Sequence, residues 1–89
     1  MKAVITVVGA DCVGIIARVS NKCLECNVNI LDITQHVVDE YFTMTMVVDT
    51  AQSSLPFTEL VDAMTELGKQ MGLVIHTMHE DIFNSMHRI

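Results

Sequence analysis

Strand, glycine-bracketed turn, helix, strand: that order, read over residues 2–38, leaves a chain of 89 residues few ways to fold. Residues 2–8 are β-branched and small apolar, the composition of a strand buried in mid-sheet, and Gly9 is expected to break it. From about Val13 to Glu25 the apolar period lengthens to that of a helix. Ile16, Val19, Ser20, Cys23 and Cys26 fall on one face, with Arg18, Lys22 and Glu25 outside. Asn27-Val28-Asn29 closes that helix with a residue type that tolerates left-handed backbone.

The rest of the chain follows without a hinge, and its strand–helix–strand half is similar to the first in shape only. Residues 30–38 read as a strand with mixed faces, Leu31, Ile33, Gln35 and Val37 on one side and Ile30, Asp32, Thr34, His36 and Val38 on the other. Asp39-Glu40 is a two-residue hairpin turn lacking the usual glycine. The next strand alternates cleanly, with Phe42, Met44, Met46 and Val48 inward and Thr43 and Thr45 outward. Residues 51–54 are polar but too few to separate domains. Pro56 suits the first turn of a second helix whose period runs through Phe57, Leu60, Val61, Met64, Leu67 and Met71. Gly68 lies on its buried side, and Gly72 ends it. Residues 73–79 form a fourth strand, with either Leu73, Ile75 and Thr77 or Val74, His76 and Met78 inward. In the tail, Ile82, Phe83, Met86 and Ile89 share one helical stripe, so it is expected to pack on the domain.

The order is βαββαβ plus a short C-terminal helix. Right-handed crossovers turn this into an α+β, ferredoxin-like sandwich: an antiparallel four-stranded sheet in order 4-1-3-2, two helices on one face, strand two at an edge. Residues 1–80 make the domain, and residues 81–89 a helical extension of it.

Charge and cysteine usage exclude several classes. The net charge is −6 with no lysine or arginine cluster, which argues against nucleic acid, whose phosphates demand a basic footprint. Charges interrupt every apolar segment, so no membrane span is expected. Met1-Lys2 leads straight into a strand, so no secretory signal is expected. Cys12, Cys23 and Cys26 are odd in number, which fits a reduced, cytoplasmic chain better than a disulfide framework. Mean hydropathy is +0.42, high for a small domain with a thin stability margin, and suggests a self-association face.

The candidate chemistry is local. Backbone N–H groups of Val13, Gly14 and Ile15 at a helix N-terminus could seat a carboxylate, with Cys12 in the same turn. Gly9 and Gly14 permit left-handed or closely approached backbone. Asp11 and Asn29, with Ile30 beside it, are expected to flank one end of that helix. Asp11 reads equally well as an N-cap, and Asn29 as a turn residue. Cys23 and Cys26 lie on the apolar stripe, where cysteine acts as a small hydrophobe, and His76 and His79 point to opposite faces, so no metal or cofactor is expected. The first turn holds neither the paired cysteines of a metallochaperone nor the arginine of an acylphosphatase, and the strands lack an RNA-recognition domain's aromatics. No nucleophile–base arrangement can be argued from the spacings, so no enzyme is expected. A ligand-free interaction subunit, docking a partner through the sheet edge and C-terminal helix, fits the same residues.

With these residues in place the chain resembles an ACT domain, the small regulatory module that binds amino acids. The resemblance spans residues 2–80: strand Ala3–Val8, the Gly9-x-Asp11-x-x-Gly14-Ile15 turn, Val19, the Asn27-Val28-Asn29-Ile30 entry to strand two, and the methionines of strand three. The Asp39–Met44 hairpin and the Asp81-Ile82-Phe83…Met86 tail resemble one branch of stand-alone single-ACT proteins, similar to the ACT repeats of the glycine-cleavage repressor. The resemblance implies a homodimer paired along helix one and strand two, with an amino acid between the first loop of one subunit and strand two of its neighbour. It implies ligand contacts at Asp11 and Asn29, while Gly9 departs from members that carry a histidine there. Any regulated protein would be a separate chain.

Overall fold

The computed structural model describes residues 1–86. Its elements are β1 (Lys2–Ala10), α1 (Ile15–Glu25), β2 (Asn29–Val38), β3 (Tyr41–Asp49), α2 (Phe57–Met71), β4 (Leu73–His79) and α3 (Glu80–Met86). All ladders are antiparallel, in the order β2-β3-β1-β4. This is the ferredoxin-like sheet expected from the sequence, seen from its other edge.

One face of the sheet carries the core. Ala3, Ile5 and Val7 of β1, the alternate residues Phe42 to Val48 of β3, and Leu73 and Ile75 of β4 meet Val19 and Cys23 of α1 and Leu60, Met64 and Leu67 of α2. On β4 this face is therefore Leu73, Ile75 and Thr77, the first of the two arrangements left open above. Gly68 is where α2 presses on β4: a Cβ there would lie 2.7 Å from the Leu73 carbonyl oxygen.

Three expectations are corrected. Gly9 does not end β1; it pairs with Phe42 on one side and Leu73 on the other. What it supplies is clearance, since a Cβ would stand 2.5 Å from Leu73 Cδ2. On α1 Val19, Cys23 and Cys26 are buried as expected, but in the first turn Ile15, not Ile16, enters the core, at 2% and 37% exposed respectively. In β2 the register steps irregularly between Ile30 and Asp32, which makes Leu31 an extra, bulged residue. Ile30, opposite Val48, thus shares the helix-side face with Ile33, opposite Met46.

Other local signals hold. Asn27 adopts φ 57°, with Val28 N–H donating to Cys23 C=O at 2.8 Å and Asn27 N–H to Leu24 C=O at 3.1 Å, the paired bonds of a left-handed helix stop. Asp39 takes φ 55° in the hairpin turn, in place of glycine. Helix α3 packs against β1 and β4. Val4 of β1, which points away from the main core, is only 1% exposed. Ile82 and Met86 remain more than half exposed, and Ile89 lies outside the described residues.

Candidate functional site

The site is built where β1 runs out. Ala10 pairs with Tyr41, and the next backbone N–H, that of Asp11, donates to Glu40 C=O at 2.8 Å. That bond ties the first loop to the β2–β3 hairpin. Cys12 and Val13 then loop outward, and Gly14 turns the chain into α1 from a left-handed φ of 89°.

Gly14 is the N-cap, and no side chain caps the helix. The capping role considered for Asp11 is thus not realised. The first helical bond runs from Arg18 N–H to Gly14 C=O at 2.9 Å. The N–H groups of Ile15, Ile16 and Ala17 are left without an intrahelical acceptor. They carry the partial positive charge of the helix end.

A cleft of about 430 Å³ opens there, lined by Asp11, Cys12, Gly14, Ile15, Ile16, Ala17, Gln35, His36, Val37 and Phe42. Its volume is in the range of small-molecule sites. Of the residues singled out from the sequence, Asp11, Cys12, Gly14 and Ile15 line it, and Ile15 does so while its side chain is buried in the core. Val13 is fully exposed beside it. The contribution of β2 through Gln35, His36 and Val37 was missed. It could have been found by pairing outward from the Asp39-Glu40 turn, because the strand end that meets the hairpin also meets the first loop.

Asn29 is elsewhere. It starts β2 opposite Asp49 and lines a second depression of about 450 Å³ with Leu24, Asn27, Val28, Asp49 and Gln52. That depression lies at the C-terminal end of α1, so within one chain Asp11 and Asn29 flank opposite ends of the helix. Ile30, next to Asn29, is half-buried against the core. Asp49 is held below the usual carboxylate range, first by the Ala51 N–H it accepts and then by the nearby amino terminus.

The cysteines divide by burial. Cys23 and Cys26 are in the core, and burial pushes the Cys23 thiol up to about 11, with Cys26 adding to the effect. Cys12 is exposed. Among the described residues no three His, Cys, Asp or Glu side chains gather as a metal-binding group, and no helix is long and apolar enough to cross a membrane.

Helix α1 and strand β2 together form an apolar flank. Ile16, Leu24, Leu31, Ile33 and Val37 are all exposed on it, next to the unpaired edge of β2. Such an edge is a template for pairing with another chain.

A family model described as ACT domain matches residues 2–78. A UPF0237 protein of Listeria innocua is 46% identical over 89 residues, covering 100% of both chains. The solved structure of an ACT domain protein from Streptococcus pneumoniae is 44% identical, with a TM-score of 0.82 over 93% of each chain. A structure assigned as a glycine cleavage system transcriptional repressor is 27% identical, with a TM-score of 0.73 over 89% of this chain and 47% of that one.

Proposed function

Since the chain belongs to the ACT domain family, a family of regulatory modules, we propose that it is a non-catalytic sensor that binds an amino acid between two copies of itself. The observation that carries this reading is the cleft at the start of α1. It sets three backbone N–H donors beside the open edge of β2, on the same flank as the exposed apolar side chains.

A two-fold axis through β2 would join the two edges antiparallel. Centred on Ile33, such a pairing sets Asn29 of one strand against Val37 of the other. The depression at the C-terminal end of α1 then adjoins the partner's cleft, and Asn29 enters a site it cannot reach within its own chain. The ligand carboxylate sits on the N–H groups of Ile15 and its neighbours, with Gly14 and Val13 shaping the turn. Asp11 favours the ammonium, and the partner's Asn29 donates or accepts one further bond. Burial of the flank supplies the stability a small domain lacks.

A thermal-shift screen of the twenty amino acids on the full chain tests the reading. Ligand at a hundred times its dissociation constant adds about 2.7 kcal/mol, so one amino acid or a chemically related few should raise Tm by several degrees. A flat response at millimolar concentrations would remove amino-acid sensing. The ligand-free interaction subunit would then stand in its place.

A further inference from the structure

Opposite the core, the sheet has a second face that, among the described residues, α3 covers only at one end. There the strands align in rows. Thr34, Thr45, Thr6 and His76 cross the whole sheet in register, and beside them run His36, Thr43, Val8 and Val74, then Val38, Tyr41 and Ala10. These rows hold no aspartate, glutamate, lysine or arginine. Val8, Val38, Tyr41 and Val74 lie between 47% and 62% exposed. The centre of the face is neutral, flat and partly apolar.

Its border is acidic. Asp32 lies on the same face of β2, Asp39 and Glu40 form the hairpin tip, and Glu80 and Asp81 open α3. Lys2 sits beyond Val4, in register with Asp49. We propose that this open sheet face docks an amphipathic basic helix of a partner protein, with the partner's apolar stripe on Val8, Tyr41 and Val74 and its lysines or arginines against the acidic border.

Size and charge select that occupant. With strands about 4.8 Å apart and side chains on one face repeating every ~6.7 Å, the neutral rows span roughly 20 Å by 20 Å, about 400 Å². A stable pair of globular proteins buries about 800 Å² on each side. A single helix, about 10–12 Å across with its side chains, fits the smaller patch. A second copy would bring acidic border to acidic border, and nucleic acid or an anionic membrane would meet the same repulsion. This surface is distinct from the α1–β2 flank: pairing of two β2 edges would set two such patches side by side, one for each helix, and the reading does not depend on a bound ligand.

The probe is an 18-residue helical peptide of leucine and lysine with its leucines on one face, titrated into the isotope-labelled full chain. A leucine–glutamate peptide of the same pattern and phosphatidylglycerol vesicles are the controls. The leucine–lysine peptide should bind, should bind less tightly at high salt, and should shift the amides of Thr6, Val8, Thr43, Thr45 and Val74. V8K should weaken it at least ten-fold, and V74K, on the edge strand, should do the same if V8K fails to fold. Four outcomes would overturn the proposal: equal binding of the acidic peptide, binding to the vesicles, shifts confined to the α1–β2 flank, or concentration-dependent burial of the same face in the free protein.

Discussion

The backbone N–H of Asp11 donates to the carbonyl of Glu40 at 2.8 Å, so the loop that opens α1 is fastened to the hairpin that closes β2. The side chain of Asp11 is left exposed and caps nothing. Asp11→Ala should therefore change stability by less than about 0.5 kcal/mol, as an ordinary surface substitution does. If Asp11 meets a ligand ammonium, the same substitution should weaken binding by about 1.5–3 kcal/mol, roughly ten- to a hundred-fold. Urea unfolding and calorimetric titration on one sample separate the two effects. A loss of stability with affinity unchanged would remove Asp11 from the site.

Glycine substitutions should rank by what surrounds them. A Cβ at Gly68 meets the carbonyl oxygen of Leu73 at 2.7 Å, whereas one at Gly9 meets the end of the Leu73 side chain at 2.5 Å and backbone, Gly72 O and Leu73 Cα, no nearer than 3.3 Å. Backbone yields less readily than a side-chain tip, so G68A should cost about 1–3 kcal/mol. That cost should outweigh the gain of about 1 kcal/mol from replacing a helical glycine by alanine. G9A should cost less than G68A. At Gly14 there is open space but φ is +89°, so G14V should act through backbone strain, not through contact. Denaturant midpoints of the three variants check the order.

Thiol reactivity should follow burial. In the folded protein an aromatic disulfide reagent should modify Cys12 quickly and leave Cys23 and Cys26 untouched until the chain unfolds. The raised value for Cys23 also gives a pH dependence. Between its ordinary 9.0 and about 11, the unfolded chain has released the thiol proton and the folded chain retains it. Fewer protons bound in the unfolded state mean that stability falls as pH rises. The decline should run from pH 9 to about 11, be absent below, and shrink in Cys23→Ala, as read from urea midpoints.

What was legible in the sequence follows from burial. β3 lies between two strands with one face in the core, so its Phe42–Val48 alternation could be assigned from the residues alone. β2 is an edge strand, almost wholly exposed. With little apolar patterning to reveal it, the bulge at Leu31 passed unseen and the faces were assigned wrongly on one side of it. In α1 the helix starts at Ile15, where Gly14 turns the chain in, two residues later than the period suggested. From Val19 on the expected stripe is the buried one, and only in this first turn does Ile15 take the core place expected of Ile16. Half of the cleft was readable because the Gly14 turn is local. The β2 half depends on hairpin register, which no single motif carries.

The α1–β2 flank should govern assembly. Ile33 is 37% exposed and Val37 56% exposed on the edge strand, and burying such side chains drives association. The double variant I33K/V37K should therefore sediment as a monomer, the wild-type chain as a dimer at micromolar concentration, and far-ultraviolet circular dichroism should be unchanged. If the variant remains a dimer, another surface holds the copies together.

The last prediction distinguishes a shared site from a private one. Asp11 and Asn29 line different depressions of one chain, at the two ends of α1. If both contact one ligand, they must come from different subunits. Asp11→Ala and Asn29→Ala should each lose affinity as homodimers. Mixed and allowed to exchange, however, they form heterodimers in which one site holds both native side chains and the other holds neither. For random exchange in a two-fold dimer, about a quarter of all sites should recover native affinity. Calorimetry on the mixture should then show a tight class of sites that neither variant has alone. A mixture no better than its components, with subunit exchange confirmed by mass spectrometry, would sink the interfacial site.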